Sequence, residues 1–302
     1  MSLLNVQAAI ENEVSMANDD DLNEKITEYI KNMPSLPVTV AKVIEICDNP
    51  QTNPADLNHV ISLDPVLVGR VLKLVNSAYY GLSRPATNLV RAIIMLGINT
   101  VKNLALASAV LGSFTPKGKV SGLKMEGFWR HSLCTAVAAK LIAKKRGIDD
   151  RQIEEYFTAG LLHDIGKMPL AFLCKDYSLT IDAAEQGQTG LYRMEDIRLG
   201  INHSTVGGII IDAWKLEGAV ADVIRQHHAC EDYKGAHKDV LYTTTLANHF
   251  AVTIGIGFSG DRYSDAIMSP VWKALRVDQA IFDEIEPLVN QEIERASIFL
   301  QL

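Results

Sequence analysis

Apolar residues recur at spacings of three and four along most of the chain, and no stretch alternates apolar with polar residues for long. This periodicity is typical of helices that bury one face and differs from that of strands. Two helix starts are clearly marked, at Asn53-Pro54 and Asp64-Pro65, where a capping side chain precedes a proline at the first helical position. The pattern predicts an all-α fold.

The helices fall into two sets separated by a loop. Residues 115–124, with the sequence TPKGKVSGLK, have the composition of a loop, and we place a domain boundary there. We predict an N-terminal helical extension over 1–27, a helical subdomain over 28–118, and a second helical subdomain over 119–302 that ends in a C-terminal helix. The expected architecture is a two-part helical bundle.

Three stretches carry more local predictions. Residues 88–111 are apolar on more than one face, which predicts two helices inside the molecule that meet near Gly97. Residues 255–276 contain Gly, Ser, Asp and Pro in quick succession, which predicts irregular structure. Residues 278–300 predict one more helix, with Leu288 on its apolar side.

Composition and charge exclude several classes of function. The chain has 302 residues, of which 48% are hydrophobic, and its formal net charge of -7 argues against binding to a nucleic-acid backbone. No secretory signal and no apolar run of about 20 residues occurs, so we expect no membrane span. The 4 cysteines are scattered, which is typical of reduced thiols in a cytoplasmic protein.

The histidines are distributed unevenly, since 7 of the 8 lie after residue 130. The periodicity assigns them to separate helices, and helical bundles build metal sites from side chains on facing helices. Gly166 is expected to end the helix that carries His163, and Pro169 to prevent its continuation. The candidate metal ligands are His131, His163, Asp164, His203, His227 and His228.

The residue types fit metal chemistry. Imidazole binds Fe, Mn, Ni or Zn, and the two oxygens of Asp164 could bridge two ions. Two ions about 4 Å apart could activate a water for attack on a phosphoester. Lys167, one turn after His163, is placed to meet a phosphate oxygen. Asp164 and Lys167 are therefore the candidate catalytic residues, for one or two divalent transition-metal ions.

Each of these residues also has a structural interpretation. A histidine can be a hydrogen-bonded core residue, which is what we expect of His59, His237 and His249. Lys167 can be a cation that interacts with a helix C-terminus.

Short motifs occur along most of the chain, at residues 33–37 (MPSLP), 64–65 (DP), 76–81 (NSAYYG), 92–97 (AIIMLG), 103–106 (NLAL), 128–131 (FWRH), 159–167 (AGLLHDIGK), 199–203 (LGINH) and 226–228 (QHH). In these motifs the chain resembles the HDOD module of the HD superfamily of metal-dependent phosphohydrolases. The resemblance covers about residues 28–255. It implies an all-α bundle and a role in bacterial signal transduction. Such modules often stand beside response-regulator or cyclic-nucleotide-signalling domains, and the related HD-GYP proteins hydrolyse cyclic di-GMP.

The chain departs from the family pattern at three places. Asn248 stands where the HD signature has an aspartate, so the amide oxygen of Asn248 is a candidate metal ligand without a negative charge. Residues 229–235, ACEDYKG, replace the glycine-tyrosine-proline motif of HD-GYP proteins. Gly127 replaces an acidic residue expected one turn before His131, which argues against a third metal.

Two functions remain open. One is a regulatory module that acts through a signalling protein partner and keeps a metal as a structural element or a remnant. The alternative is a metal-dependent phosphohydrolase acting on a cyclic dinucleotide or another nucleotide phosphate. Asn248 favours the first, and the otherwise complete set of ligand types favours the second.

Overall fold

The computed structural model describes residues 19–114, 120–264, 266–267 and 269–301. Residues 1–18 of the predicted extension and 115–119 of the predicted boundary loop lie outside the described residues. No strand occurs in the described ranges, which confirms the predicted all-α class.

The helices follow one another in the order of the chain. The first six are α1 (Asp19–Asn32), α2 (Val38–Cys47), α3 (Pro54–Ile61), α4 (Pro65–Val75), α5 (Leu89–Leu96) and α6 (Ile98–Ser113). The next five are α7 (Met125–Lys145), α8 (Asp150–Leu162), α9 (Lys167–Leu173), α10 (Tyr177–Gln186) and α11 (Leu191–Leu199). The last five are α12 (His203–Trp214), α13 (Ala219–Gln226), α14 (Lys238–Ile254), α15 (Ser269–Leu275) and α16 (Ala280–Ala296). Short 3-10 turns cover Cys230–Asp232 and Ser297–Gln301.

The two marked helix starts are formed as predicted. The Asn53 side chain accepts hydrogen bonds from the backbone N–H groups of Ala55 and Asp56, and the Asp56 carboxylate accepts one from the Asn53 N–H. The Asp64 side chain accepts from the first turn of α4 in the same manner. Each cap satisfies donors that the first helical turn leaves without a partner, and such a cap typically contributes about 1 kcal/mol.

The two apolar helices α5 and α6 meet at Gly97, whose φ of 86° lies in the region that glycine favours. The prediction that both are inside the molecule holds for α6, where every residue from Thr100 to Val110 except Lys102 is buried. It is wrong for α5, which buries one face and leaves Ile94 66% exposed. Among the described helices none is by itself long and apolar enough to cross a membrane, whereas α5 and α6 together are, at a bend of 115°.

A buried polar network joins the loop after α4 to the helices α7 and α8. The ammonium of Lys140 on α7 donates to Tyr79 Oη at 2.7 Å and to Glu154 Oε1 at 3.0 Å, and Tyr80 Oη donates to Glu154 Oε2 at 3.0 Å. The Tyr79 ring also contacts Phe299. These contacts fix the first helices on the pair α7 and α8, which carries His131 and leads to His163.

Helices α7 and α8 approach each other closely because small residues line their contact. A Cβ placed on Gly160 would lie 2.7 Å from Ala136 Cα and 2.8 Å from Ala136 N, so only glycine fits there. Helix α7 also packs against α14 and α16, and α8 against α13. This arrangement brings the helices that carry the candidate ligands to one place.

The prediction that Gly166 ends the helix carrying His163, and that Pro169 prevents its continuation, is wrong. Helix α8 ends at Leu162, Gly166 has an ordinary right-handed conformation at the start of α9, and Pro169 lies inside α9. Gly166 is required for another reason, since a Cβ there would lie 1.9 Å from His203 O and 2.6 Å from Gly207 N. The glycine therefore permits the backbone of α9 to touch that of α12.

Two predictions near the C-terminus also need correction. Helix α15 lies within residues 255–276, which were expected to be irregular throughout. The C-terminal helix α16 forms as predicted, but Leu288 is 40% exposed and Val289 takes the buried position instead. Pro287 lies inside α16 just before these two residues.

Candidate metal centre

Four helices bring the candidate ligands around the Asp164 carboxylate. His131 is on α7, His163 and Asp164 directly follow α8, His203 begins α12, and His227 and His228 follow α13. The four nearest imidazole nitrogens approach one of the two carboxylate oxygens. The distances from Nε2 to Asp164 are 3.8 Å for His131 and 3.3 Å for His163, both to Oδ2, and 3.3 Å for His203 and 3.6 Å for His227, both to Oδ1.

The ligand atoms form two groups that share Asp164. One group consists of His131, His163 and Asp164, and the other of Asp164, His203, His227 and His228, with the atoms of each group within 4.8 Å of one another. Asp164 Oδ2, in the first group, already accepts a hydrogen bond from Lys167 Nζ at 2.8 Å. The second group therefore has the freer carboxylate oxygen.

Hydrogen bonds at Nδ1 determine which ring nitrogen faces the carboxylate. The Nδ1–H of His163 donates to Gly160 O at 2.8 Å, and that of His227 to Val223 O at 3.0 Å. Since a carbonyl oxygen only accepts, the proton of each neutral ring lies on Nδ1. Each Nε2 is left with a lone pair directed at Asp164, which is the form that binds a metal.

Burial keeps three of the imidazoles, those of His131, His227 and His228, neutral. It lowers the pKa of His131 to about 3 and that of His227 to about 4. Burial and the neighbouring imidazoles hold the pKa of His228 well below its ordinary value. At neutral pH the three rings therefore carry no proton that a metal would have to displace.

Several buried polar atoms in this region lack a hydrogen-bond partner among the described residues. They are His131 Nε2, His163 Nε2, Asp164 Oδ1 and Asn248 Oδ1. In addition, His203 Nε2 lies 3.1 Å from His228 Nε2 and 3.4 Å from His227 Nε2. Buried lone pairs at such distances repel unless a proton or cation lies between them. The donor set thus fits a divalent transition-metal ion.

Asn248 lies on α14, which packs against α7, α8 and α13. It is 8% exposed. Its unpartnered amide oxygen is consistent with the position that the resemblance gives it.

Lys167 is completely buried and held by two carboxylates. Its Nζ donates to Asp164 Oδ2 at 2.8 Å, to Asp261 Oδ2 at 2.7 Å and to Ser259 Oγ at 3.3 Å. Burial alone would lower the pKa of Lys167, but the charges of Asp164 and Asp261 outweigh it and raise that pKa. The predicted phosphate-binding ammonium is thus occupied by the protein's own carboxylates.

Glu195 is a residue of the centre that sequence reasoning missed. Its Oε2 accepts from His203 Nδ1 at 2.6 Å and from His203 N at 2.8 Å. This bond directs His203 Nε2 toward the centre, as a carboxylate behind a metal-bound histidine does. The signal was available, because Glu195 follows Leu191 by four residues and so occupies a position on the apolar face of α11.

Two further contacts of the centre were not predicted from the sequence. The Tyr192 ring stacks on His228, with centroids 4.6 Å apart, at the partly exposed end of the cluster. Asp261 is 94 positions from Lys167 in the chain, and no pattern in the sequence connects them.

The remaining histidines lie apart from the cluster. His237 pairs with Asp222 at 2.7 Å, His249 contacts Ser264 Oγ at 3.0 Å, and His59 is exposed. The contacts of His237 and His249 agree with the expected structural role, whereas the expectation of a core position is wrong for the exposed His59.

The sequence model of the HDOD domain matches residues 33–230. The chain belongs to the HDOD family. The matched residues include every candidate ligand except Asn248, which lies beyond their end.

Solved structures share the fold of this HDOD protein. An HDOD domain protein of unknown function from Geobacter sulfurreducens is 23% identical, with a TM-score of 0.72 over 93% of this chain and 98% of its own. A candidate phosphohydrolase from Shewanella amazonensis is 23% identical, with a TM-score of 0.66 over 91% of this chain and 98% of its own. At this level of identity the likeness shows the fold.

One curated relative also matches. An uncharacterized protein of Treponema pallidum is 27% identical over 233 residues, which are 75% of this chain and 44% of the relative. The chain thus spans less than half the length of that relative.

Changing Asn248 to aspartate should tighten metal binding. A carboxylate would supply the negative charge that the HD signature has at this position, and we expect about a tenfold lower Kd for Zn²⁺ or Mn²⁺, or about 1.4 kcal/mol. Competition against a chelating dye measures this. Asn99→Asp is a suitable control, because it adds the same charge at an exposed position on α6. Equal affinity in Asn248→Asp and wild type would place Asn248 outside the ligand set.

Proposed function

We propose that this HDOD protein is a regulatory module of signal transduction that acts through a protein partner and holds a divalent transition-metal ion as a structural element. One observation carries the proposal, which is that the ligands converge on Asp164 in a closed environment. His131, His163, Asp164, His203 and His227 are each at most 3% exposed. A catalytic metal site keeps an open coordination position, whereas a structural site is closed by protein ligands.

The occupation of Lys167 supports the same conclusion. The predicted catalytic role of Lys167 needs an ammonium that is free to meet the phosphate, and here that ammonium donates to Asp164 and Asp261. His203, His227, His228 and Asp164 Oδ1 would hold one ion, with His131 and His163 on the side of Oδ2. When bound, the metal supplies a positive charge between lone pairs that otherwise face one another, and so stabilises the junction of the four helices.

A protein partner has a surface available in the first half of the chain. Leu63 and Val66, on either side of the α4 cap, are 71% and 64% exposed, and Ile94 on α5 is 66% exposed. The helices that carry or flank these residues, α3, α4 and α5, pack against one another, and a contiguous exposed apolar patch is typical of a surface that another protein covers. The net charge of -7 favours such a partner over a nucleic acid.

The alternative function is that of a metal-dependent phosphohydrolase acting on a cyclic dinucleotide or another nucleotide phosphate. The observation in its favour is that two ligand groups share Asp164, as in hydrolases that use two metal ions. His228, partly exposed and stacked on Tyr192, marks the side from which a substrate would enter.

Chelation and an activity assay separate the two functions. For a structural metal, removing the ion from protein purified without chelators should lower the melting temperature, and restoring it should reverse the change, because a ligand that binds only the folded state stabilises it. Phosphodiesterase activity, assayed with cyclic di-GMP and bis(4-nitrophenyl) phosphate, should be absent.

Two results would contradict the proposal. An unchanged melting temperature would show that the ion has no structural role. Turnover that is lost in His163→Ala, while the variant stays folded, would establish the hydrolase instead. A protein partner that copurifies with the chain should be retained by both wild type and His163→Ala, since its surface lies away from the centre.

A further inference from the structure

The connection after α14 contacts both the helix that carries His131 and the ammonium of Lys167. Residues 256–262, here called the strap, have no helical structure, yet Ser259 within it is only 1% exposed. A connection between helices is normally exposed. The buried Ser259 and Gly260 therefore indicate that the middle of the strap is packed against other elements, while Arg262 at its end is exposed.

The strap lies directly against the helix that carries His131. Gly257 has a φ of 74°, and a Cβ on it would lie 2.3 Å from His131 N and 2.6 Å from Gly127 O. The Phe258 N–H donates to Gly127 O at 2.9 Å. The strap thus covers the first turn of α7 at Gly127. A Cβ on Gly127 would already lie 3.4 Å from Phe258 O.

The strap also binds the ammonium of Lys167, through the carboxylate of Asp261. Asp261 Oδ2 accepts from Lys167 Nζ at 2.7 Å, and Asp261 Oδ1 accepts from the Leu191 N–H at 2.7 Å. The carboxylate therefore bridges the start of α11 and the lysine beside Asp164. The carboxylate of Asp261 is 7% exposed, so it is buried with the cation it neutralises.

We propose that the strap is a closing element of the centre, in which Asp261 is an internal anion that occupies Lys167 in place of an external oxyanion of the phosphate class. The inference rests on the proposed centre, because it concerns access to that centre. When the strap opens, both the ammonium of Lys167 and the face of α7 next to His131 become accessible. An oxyanion that binds Lys167 would therefore favour the open strap, because two anions cannot occupy the same side of one ammonium.

Asp261→Asn tests the contact with little disturbance of the backbone. The amide oxygen can still accept from the Leu191 N–H, but the neutral amide no longer neutralises Lys167. Acetylation of Lys167 by an N-hydroxysuccinimide ester, followed by peptide mass spectrometry, measures its accessibility. The exposed Lys175 is the internal reference. The reaction is carried out on protein purified without chelators and repeated in chelator, so that an effect of bound metal is separated from the effect of Asp261.

We expect Lys167 to react at least about tenfold faster in Asp261→Asn than in wild type, because burial protects only while the strap is closed. Asp239→Asn is the matched control, since it also removes a carboxylate from an ion pair, with Arg146, away from the centre. In Asp239→Asn, Lys167 should be acetylated at the wild-type rate. An Asp261→Asn rate equal to that of wild type would overturn the proposal.

Wild-type protein provides a second test, which also applies if Asp261→Asn does not fold. Inorganic phosphate should accelerate hydrogen exchange of the Phe258 amide, relative to chloride at equal ionic strength, and leave the amides of α6 unchanged. No acceleration by phosphate would refute the exchange of Asp261 for an external anion. If the protein binds no metal but both tests give the expected results, the proposed metal function is refuted and the proposal for the strap stands.

Discussion

Replacing Asp164 by asparagine should abolish metal retention almost completely. Asp164 is the carboxylate shared by both ligand groups, and each of its oxygens faces imidazole nitrogens. An asparagine has nearly the same shape but no charge, so a divalent ion would meet neutral ligands alone. We expect affinity to fall by more than about 100-fold, the upper range for removing a residue that only supports a ligand.

Elemental analysis of wild type and Asp164→Asn, purified in parallel without chelators, measures this effect. Asp222→Asn is the matched control, because Asp222 also pairs with a histidine, His237, and lies outside both ligand groups. It should retain as much metal as wild type. Wild-type metal content in Asp164→Asn would contradict the centre as described.

The variant also separates metal binding from the ion-pair network. In wild type, burial would raise the pKa of Asp164, but the positive charge of the neighbouring Lys167 holds that pKa well below its ordinary value. Asp164 is therefore ionised, and its loss leaves Lys167 with Asp261 as its remaining carboxylate. Circular dichroism should accompany the metal analysis, so that loss of metal is not confused with loss of fold.

Features encoded within a few residues could be read from the sequence. The caps at Asn53 and Asp64 act on N–H groups two and three residues away, so the local pattern contains both partners. The helices that carry His131 and His203 follow from periodicity for the same reason. The candidate ligand types could be named because a bundle directs side chains of separate helices to one place.

Features set by distant neighbours could not be read in this way. The sequence shows that Lys167 follows His163, but not that Asp261 lies against its ammonium. It shows that α5 is apolar, but not which face remains uncovered, since that depends on where α3 and α4 pack. Gly166 was interpreted as a helix end because glycine is common there, whereas its actual contact is with the backbone of His203.

That contact gives the largest expected effect on stability. Gly166→Ala should destabilise the protein by about 3 kcal/mol, the upper part of the usual range for overpacking, because the neighbours that would have to move are backbone atoms. The new Cβ would lie 1.9 Å from His203 O and 2.6 Å from Gly207 N. The melting temperature should fall by about 6 °C or more. Gly166 has a φ of -67°, so steric overlap and not backbone strain causes the loss.

The same chemical change at Gly69 is the control. Gly69 is exposed within α4, and a Cβ there meets nothing within 4 Å. Gly69→Ala should stabilise by up to about 1 kcal/mol, because alanine has the higher helix propensity. The melting temperature of Gly166→Ala should therefore fall below that of wild type, and the melting temperature of Gly69→Ala should rise above it. Equal melting temperatures for Gly166→Ala and wild type would contradict the close approach of α9 and α12. Because α12 begins at His203, the folded fraction of Gly166→Ala should also retain less metal than Gly69→Ala.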